Sequence, residues 1–329
     1  MSLRPKMKKA FLVAALVAPL LASCGGPKKD IFKISGAGAT FPAPLYQAWF
    51  GRFSSKTGNQ VNYQAVGSGA GVRQFVKETV DFGASDASVK DSKIPEGGMV
   101  QIPVTGGAIV PAYNVPGCEV KMTQTQLVDV FMGKIHNWSE FGCGNVPIMV
   151  VYRSDGAGTT YGFTNSLSAF SPEWKSEYGT AKTVKWPVGV GAKGNSGVAA
   201  QMLQIEGSIG YMNYNYVMTS KLEQVSLQNK AGVFLKANPT SAAYGLTNIK
   251  LDDKLRGTDP NPAGEMSYPI VSLTWILAYP QSKPGVKETL NFILSEEAQG
   301  MSDNMGYVAL PENLRQKALA AVETINEEE

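Results

Sequence analysis

The chain has 329 residues, of which 43% are hydrophobic and 17% are charged, and this composition excludes a disordered or polyelectrolyte protein. The formal net charge is +3, from 30 basic and 27 acidic residues. Four basic residues lie within the first nine positions, so removal of residues 1–23 would leave 26 basic and 27 acidic residues, a net charge of −1. The basic excess therefore belongs to a leader, and we predict no nucleic-acid partner.

The N-terminus has the pattern of a secretory signal peptide. Residues 1–9 are basic, residues 10–21 form an apolar run, and Leu-Ala-Ser-Cys follows, ending at Cys24. The apolar run is too short to span a bilayer, which takes about 17–25 residues. Because Leu-Ala-Ser-Cys resembles a bacterial lipobox, we predict cleavage after residue 23, a lipid on Cys24 and a short linker over residues 24–30. The mature protein would then be exported and anchored to a membrane. Translation from Met7 would also yield a complete signal.

Strand-like apolar runs alternate with helical patterns along the chain. Strands are predicted at residues 31–34, 60–65 and 82–84, and helices at 42–56, 72–80, 124–131, 160–170, 197–205, 286–294 and 311–325. This alternation favours an α/β fold with parallel strands.

Two longer extended runs, residues 107–114 and 270–279, fit strands that cross between two domains. We assign residues 31–107 and 273–329 to a discontinuous domain I. Residues 108–272 form the predicted domain II.

Three segments combine glycine and hydroxyl residues with a following helix. They are Ser-Gly-Ala-Gly-Ala-Thr-Phe-Pro (35–42), Gly-Ser-Gly-Ala-Gly (67–71) and Arg-Ser-Asp-Gly-Ala-Gly-Thr-Thr (153–160). A helix N-terminus attracts anions, hydroxyls add donors, and glycine lets the main chain approach a ligand. Each loop alone is more typical of an N-cap or a turn than of a ligand site. None has the ending of a nucleotide P-loop, and Ser196 is interpreted as a plain N-cap.

Three charged residues favour an oxyanion site. Arginine is suited to bidentate contact with a tetrahedral oxyanion, and Asp155 could brace Arg153 from two residues further on. Asp86 follows a short strand, where ligand sites of α/β proteins gather. A carboxylate tolerates an anion that carries a proton, because it accepts that hydrogen bond. This requirement favours phosphate over sulfate.

Several motifs together resemble the phosphate-binding proteins of bacterial phosphate ABC transporters, the PstS family. They are GAGATFPAP, NYQAVGSGAG, VDFGASDA, RSDGAGT and VKWPVGVGAKGN, and the likeness runs in family order from about Ile34 to Leu310. The resemblance implies a type II periplasmic-binding-protein fold with two domains, two crossover strands and an interdomain cleft. It also implies capture of inorganic phosphate, without a metal or other cofactor, for delivery to a membrane permease.

The resemblance also implies a set of phosphate-binding residues: Thr40, Phe41, Ser68, Asp86, Arg153, Asp155, Gly158 and Thr159. In this set Asp86 would accept the phosphate proton, and Arg153 would supply the charged donor. Ala157 stands where many relatives have serine, so its backbone N–H remains but a hydroxyl is missing.

Two other function classes remain open from the residues. An extracytoplasmic phosphatase or phosphotransferase could use the same anion cage, and a receptor could select another tetrahedral oxyanion. Against an enzyme, the one histidine, His136, lies outside the three loops, and no base is evident for a nucleophile. We therefore predict a monomeric binding protein.

Cys118 and Cys143 are a candidate disulfide pair, because export favours oxidation. The alternative is two unpaired thiols. Together with His136 they offer too few ligands for zinc, so no metal site is predicted.

Overall fold

The computed structural model describes residues 31–327. The predicted signal peptide, the linker and Cys24 lie outside the described residues. The strands are β1 (Lys33–Gly38), β2 (Gln60–Ala65), β3 (Phe82–Ser85), β4 (Val100–Asn114), β5 (Lys121–Met122), β6 (Met149–Arg153), β7 (Val190–Ala192), β8 (Ser208–Asn213), β9 (Glu223–Gln224), β10 (Ser226–Gln228), β11 (Phe234–Leu235), β12 (Val271–Ala278), β13 (Gln281–Ser282) and β14 (Asn326–Glu327).

Helices connect most of these strands. They are α1 (Ala43–Thr57), α2 (Ser68–Val76), α3 (Gln124–Phe131), α4 (Gly158–Phe170), α5 (Pro172–Glu177), α6 (Gly194–Leu203), α7 (Tyr214–Ser220), α8 (Pro239–Leu246), α9 (Val286–Ile293), α10 (Glu296–Gln299) and α11 (Glu312–Glu323). Within residues 31–327, no helix has both the length and the apolar character needed to cross a bilayer.

The main sheet has nine strands in the order β2-β1-β3-β12-β4-β8-β6-β7, with β9 also pairing with β4. Pairing is parallel among β2, β1 and β3 and among β8, β6 and β7. By contrast, β12 runs antiparallel to β3 and β4, and β4 runs antiparallel to β8. We call β1, β2, β3 and β12 the first half of the sheet, and β6, β7 and β8 the second half.

Strand β4 belongs to both halves. Residues 100–108 pair with β12, and residues 109–114 pair with β8. The strand starts seven residues before the predicted residue 107, across a bulge where Trp275 faces Pro103 and Thr274 faces Thr105. Proline is tolerated at such a bulge because it cannot donate a ladder hydrogen bond. The chain returns to the first half just before β12, where Ile109 N–H donates to the Ile270 carbonyl at 2.9 Å.

Each half has its own aromatic core. In the first half, the buried face of α1 carries Tyr46, Trp49, Phe50 and Phe53. Helix α1 ends at Gly58, whose φ of 81° is a left-handed conformation that favours glycine. In the second half, the buried aromatic side chains include Trp138, Phe163, Trp174 and Tyr211. Burial of side chains this large dominates the energetics of a core.

A disulfide joins Cys118 to Cys143, with Cα atoms 5.5 Å apart. This distance lies within the range that a disulfide spans without backbone movement. The bond closes a segment that contains α3 and the short 3₁₀ helix Trp138–Phe141.

Three helices begin earlier than the sequence predicts. Helix α2 begins at residue 68 rather than 72, α4 at 158 rather than 160, and α6 at 194 rather than 197. In each case the glycine and hydroxyl residues that the sequence predicts to be loop form the first helical turn. Helix propensity is low for these residues, but the first turn keeps N–H groups free for other acceptors.

Candidate functional site

The three glycine-rich segments meet where strands of both halves end. Thr40 lies two residues after β1, Asp86 directly follows β3, and Arg153 is the last residue of β6. Ser68 and Gly158 are the first residues of α2 and α4. All five are buried. The sheet therefore brings its strand ends and two helix N-termini together, as the α/β topology predicts.

Arg153 supplies a fixed positive charge at this site. Its Nε and Nη2 atoms donate to the two carboxylate oxygens of Asp155 at 2.7 and 2.6 Å. Its Nη1 atom donates to Thr159 Oγ1 at 3.3 Å, and only 2% of the residue is exposed. A bidentate pair of this kind fixes the guanidinium plane.

Asp155 is an ionised carboxylate in this arrangement. Burial would raise its pKa, but the hydrogen bonds and the positive charge of Arg153 outweigh that effect and lower the pKa. The same carboxylate accepts the Gly194 N–H at the start of α6, at 3.0 Å. Asp155 therefore links the arginine to a second helix N-terminus.

The pKa of Asp86 is shifted in the opposite direction from that of Asp155. Burial raises its pKa to about 6, although a hydrogen bond from Thr274 and the charges of Arg153 and Lys182 act to lower it. Thr274 Oγ1 donates to Asp86 Oδ1 at 2.9 Å, and the residue is 3% exposed. A carboxyl group with this pKa changes between acceptor and donor near neutral pH.

The partners of Ser68 and Thr40 direct these hydroxyls to donate. Ser68 Oγ accepts the N–H groups of Asp86 and Gly158 at 3.2 and 3.1 Å. Thr40 Oγ1 accepts from Asn195 Nδ2 at 3.1 Å. A hydroxyl has one proton and two acceptor lone pairs, so filled lone pairs leave its proton for an oxygen acceptor. For Ser68 the nearest such oxygen is Asp86 Oδ2, at a long 3.4 Å.

Gly158 lies where the two halves contact each other. A Cβ atom at this position would lie 2.6 Å from Asp86 Cβ and 2.7 Å from Ser68 Oγ. Nearby, Gly69 N–H of α2 donates to the Gly156 carbonyl at 2.7 Å. The loop before α4 therefore packs directly on the loop before α2, which requires glycine at this contact.

One sequence interpretation is wrong, and the structure adds a partner to another. Ser196 is not an N-cap: α6 begins at Gly194, Lys193 is its N-cap, and Ser196 lies in the first turn. The backbone N–H of Ala157 survives, but it donates to the Lys182 carbonyl at 2.9 Å. Ala157 therefore contributes neither a hydroxyl nor that N–H to a ligand in this arrangement.

The sequence analysis missed four residues of the site. They are Lys182, Asn195, Asn213 and Thr274. Asn195 Nδ2 donates to Asn213 Oδ1 at 3.0 Å, which also accepts from Thr159 Oγ1 at 3.0 Å. This chain of hydrogen bonds joins the loop of Arg153 to Thr40. Thr274 could have been found from its position in an otherwise apolar strand, two residues after Ser272 on the same face.

Lys182 is a second cation near Asp86. Its Nζ atom donates to Ser85 Oγ at 2.9 Å, which connects the segment before β7 to the end of β3. Burial lowers the pKa of Lys182 to about 8, although the Asp86 carboxylate acts to raise it. His136, by contrast, is exposed and takes no part in the contacts described above. Among residues 31–327, no group of three or more His, Cys, Asp or Glu side chains is arranged to hold a metal ion.

Comparisons with known proteins agree on a family. A sequence model of the PBP superfamily domain matches residues 25–297. The chain is 39% identical over 309 residues to phosphate-binding protein PstS of Pasteurella multocida, covering 88% of this chain and 90% of that protein. It is 38% identical over 296 residues to phosphate-binding protein PstS of Haemophilus influenzae, covering 84% of this chain and 89% of that protein.

Solved structures agree on the fold. The X-ray structure of a phosphate binding protein from Stenotrophomonas maltophilia superposes with a TM-score of 0.68 at 21% identity, covering 88% of this chain and 93% of that chain. This likeness, with the family match, confirms the predicted type II periplasmic-binding-protein fold.

Proposed function

This chain belongs to the PstS family of phosphate-binding proteins, and we propose that it captures inorganic phosphate between the two halves of the sheet for a membrane permease. One observation carries the proposal: a buried cation and a buried acid lie together among hydroxyl donors. Arg153 is fixed by Asp155, and burial raises the pKa of Asp86 to about 6. This combination suits an oxyanion that carries a proton.

We propose a binding role for each of the eight residues that the sequence singled out. Arg153 would attract the anion, and Asp155 would hold the guanidinium in place. Thr40 and Ser68 would donate hydroxyl hydrogen bonds, and Thr159 would join them by turning its proton from Asn213 Oδ1 to the anion. Phe41 would donate through its main-chain N–H. The Gly158 N–H lies at the N-terminus of α4 and would exchange Ser68 Oγ, its partner at 3.1 Å in this structure, for the anion.

We assign the discrimination between phosphate and sulfate to Asp86. Phosphate near neutral pH carries at least one proton, and an ionised Asp86 would accept it in a hydrogen bond. Sulfate has no proton to offer, so its charge would meet the carboxylate directly in a site of low dielectric. The predicted preference is for phosphate and its protonated analogues.

Phosphate entry requires the halves to separate, because donors from both sides enclose the site. We propose hinge closure of domain I (residues 31–107 and 273–329) on domain II (residues 108–272). Hydrogen bonds between the halves, such as Gly69 N–H to the Gly156 carbonyl at 2.7 Å, would form on closure. Small-angle scattering should give a smaller radius of gyration with phosphate, and an unchanged radius would contradict closure.

We propose a receptor rather than a phosphatase. The exposed His136 supplies no base at the site, and the hydroxyls of Thr40 and Ser68 have hydrogen-bond partners that suit donation rather than nucleophilic attack. A p-nitrophenyl phosphate assay tests this distinction. Turnover that Arg153→Ala abolishes would favour the enzyme.

We further propose an extracytoplasmic, monomeric protein anchored by a lipid on Cys24. The sequence Leu-Ala-Ser-Cys supports this anchor. Fractionation of cells expressing the full chain should place it with membranes, whereas Cys24→Ala should release it or block its processing. Equal membrane association of both proteins would contradict the anchor.

The deciding experiment is calorimetric titration of the mature protein with phosphate, arsenate and sulfate. Saturable binding of phosphate and arsenate, with weak or no binding of sulfate, is the expected result. Equal affinity for all three would leave an oxyanion receptor without the proposed selectivity. No binding of phosphate would refute the proposed function.

A further inference from the structure

Three tyrosine hydroxyls hold three consecutive carbonyls of the loop between β1 and α1. Tyr63 donates to the Ala39 carbonyl at 2.7 Å, Tyr216 to the Thr40 carbonyl at 2.6 Å, and Tyr307 to the Phe41 carbonyl at 3.0 Å. The tyrosines come from three distant parts of the chain: β2, α7 and the segment between α10 and α11. We propose that all three are positioning residues: Tyr63 and Tyr216 aim main-chain donors of this loop at the bound anion, and Tyr307 fixes the loop that carries them.

Because the peptide bond is planar, a hydroxyl that fixes a carbonyl on one side of the loop also fixes the direction of the next N–H on the other side. In a trans peptide, the carbonyl of one residue and the N–H of the next point in opposite directions. The structure contains no cis peptide bond within residues 31–327. A hydroxyl that holds the Ala39 carbonyl therefore orients the N–H of Thr40. In the same way, the hydroxyl that holds the Thr40 carbonyl orients the N–H of Phe41.

The third contact acts differently because Pro42 follows Phe41 and has no N–H. Tyr307 therefore aims no donor directly. It fixes the peptide unit between Phe41 and Pro42, and its ring also packs on Phe41 with centroids 5.3 Å apart. We expect the smallest effect on the anion from this tyrosine.

The hydroxyls are placed by packed rings. The Tyr63 ring stacks on Phe82 and meets Tyr46 edge-on at 5.0 Å between centroids. Burial raises the pKa of Tyr63, Tyr216 and Tyr307, so each hydroxyl keeps its proton across the physiological pH range. Replacement by phenylalanine would remove the donor and leave the ring contacts, which makes Tyr→Phe a clean test.

Tyr216 differs from the other two because it reaches the loop from the second half. Helix α7 follows β8, whereas Thr40 follows β1. The hydrogen bond to the Thr40 carbonyl therefore forms only when the halves meet. Closure and orientation of the Phe41 N–H would then occur together, and loss of this hydroxyl should mainly speed ligand release.

The inference rests on the proposed function, so its test has one arm with phosphate and one without. In the first arm, phosphate affinity and dissociation rate are measured for the mature protein and the variants Tyr63→Phe, Tyr216→Phe and Tyr307→Phe. Loss of one hydrogen bond corresponds to about a five- to tenfold weakening. We expect that loss for Tyr216→Phe with faster dissociation, and a smaller loss for the other two.

The chain offers two matched controls. The Tyr268 hydroxyl is buried and has no hydrogen-bond partner among residues 31–327, so Tyr268→Phe should leave phosphate binding unchanged. The Tyr279 hydroxyl donates to the carbonyls of Phe75 and Val80, away from the loop. Tyr279→Phe should lower stability without altering affinity, which separates a general loss of stability from a loss of positioning.

The second arm measures hydrogen exchange of residues 38–46 without phosphate. The amide hydrogens of this segment should exchange faster in Tyr63→Phe and Tyr307→Phe than in Tyr268→Phe. If exchange matches that control, the positioning role is refuted whether or not the wild type binds phosphate. Faster exchange with unchanged affinity would also refute it. A wild type that fails to bind phosphate would refute the proposed function, and exchange alone would then decide the role of the tyrosines.

Discussion

The two halves of the sheet bring different chemistry to the same site. The first half brings a carboxyl group, Asp86, and the hydroxyls of Thr40 and Ser68. The second half brings the positive charge of Arg153 with its partner Asp155. We propose that the second half attracts the anion and that the first half discriminates between anions. On this proposal, selectivity is complete only when both halves meet around the ligand.

The two aspartates show how environment alone produces this division. Asp155 accepts two charge-assisted hydrogen bonds from Arg153, and the pKa of Asp155 is lowered although burial opposes the shift. Asp86 receives neutral donors from Thr274 and Ser68, and burial prevails and raises its pKa to about 6. One carboxylate is structural, and the other is free to respond to the proton of a ligand.

The largest expected effect concerns Asp86→Asn, which tests whether discrimination belongs to the first half. An amide has no charge to repel sulfate and offers a donor, so the phosphate-to-sulfate affinity ratio should fall. A site built on one specific hydrogen bond can discriminate by about 10⁴, which sets the upper limit of the change. Competition titrations at one pH and one salt concentration measure it.

Asp81→Asn is the matched control, because Asp81 lies just before β3 and binds Ser35 rather than the site. This variant should keep the wild-type ratio. An unchanged ratio in Asp86→Asn would remove Asp86 as the discriminating residue.

Arg153→Ala tests whether attraction belongs to the second half. Truncating one partner of a buried, hydrogen-bonded charge pair weakens binding by about 2–5 kcal/mol, so both anions should bind about 30- to 4,000-fold more weakly. The affinity ratio between them should stay constant, because the guanidinium attracts either oxyanion. Arg256→Ala removes an arginine that pairs with the surface residues Asp91 and Asp252, and it should change neither quantity. A loss of affinity for phosphate alone would contradict the proposal that the second half attracts either anion.

The raised pKa of Asp86 predicts how the ligand-free protein responds to pH. A folded-state pKa of about 6 exceeds the ordinary value of 3.8, so the folded state retains a proton that the unfolded state has lost between these values. Its contribution to stability is therefore present below about pH 4 and disappears as pH rises through about 6. The change should be on the order of 3 kcal/mol.

Chemical denaturation of wild type and Asp86→Asn across pH 4–7 measures this contribution. The stability of wild type relative to the variant should fall as pH rises. A difference that is constant with pH would mean that Asp86 is ionised throughout, and the contrast with Asp155 would then be wrong.

The smallest expected effect concerns the contact between the halves. Gly158→Ala would place a Cβ atom 2.6 Å from Asp86 Cβ, so the loops before α2 and α4 could not close fully. Overpacking of this kind costs about 1–3 kcal/mol, which corresponds to at least a several-fold loss of phosphate affinity. Gly51→Ala is the control, because nothing lies within 4 Å of its Cβ position on α1. That variant should bind normally and be slightly more stable.

Much of the secondary structure could be predicted from the residue pattern of each segment. The periodicity placed β2 and α3 at their observed bounds, because an alternating or helical pattern is a property of the segment itself. The start of β4 could not be placed that way. Pro103 and Gly106 disfavour a strand, and a strand is stabilised there by pairing with β12 across a bulge and by the bridge from Gly106 to Val308.

The sequence by itself determined which chemical groups stand at the strand ends: a carboxyl after β3, an arginine at the end of β6, and hydroxyls beside glycine before helices. These groups depend only on residue type and short-range order. Only the tertiary structure decided their partners. Thr274 lies 188 residues from Asp86, and Asn195 lies 155 residues from Thr40. The strand register and the meeting of the two halves set these contacts. The same long-range packing raises the pKa of Asp86 and commits the Ala157 N–H to the Lys182 carbonyl, because burial and hydrogen-bond direction are properties of the assembled fold.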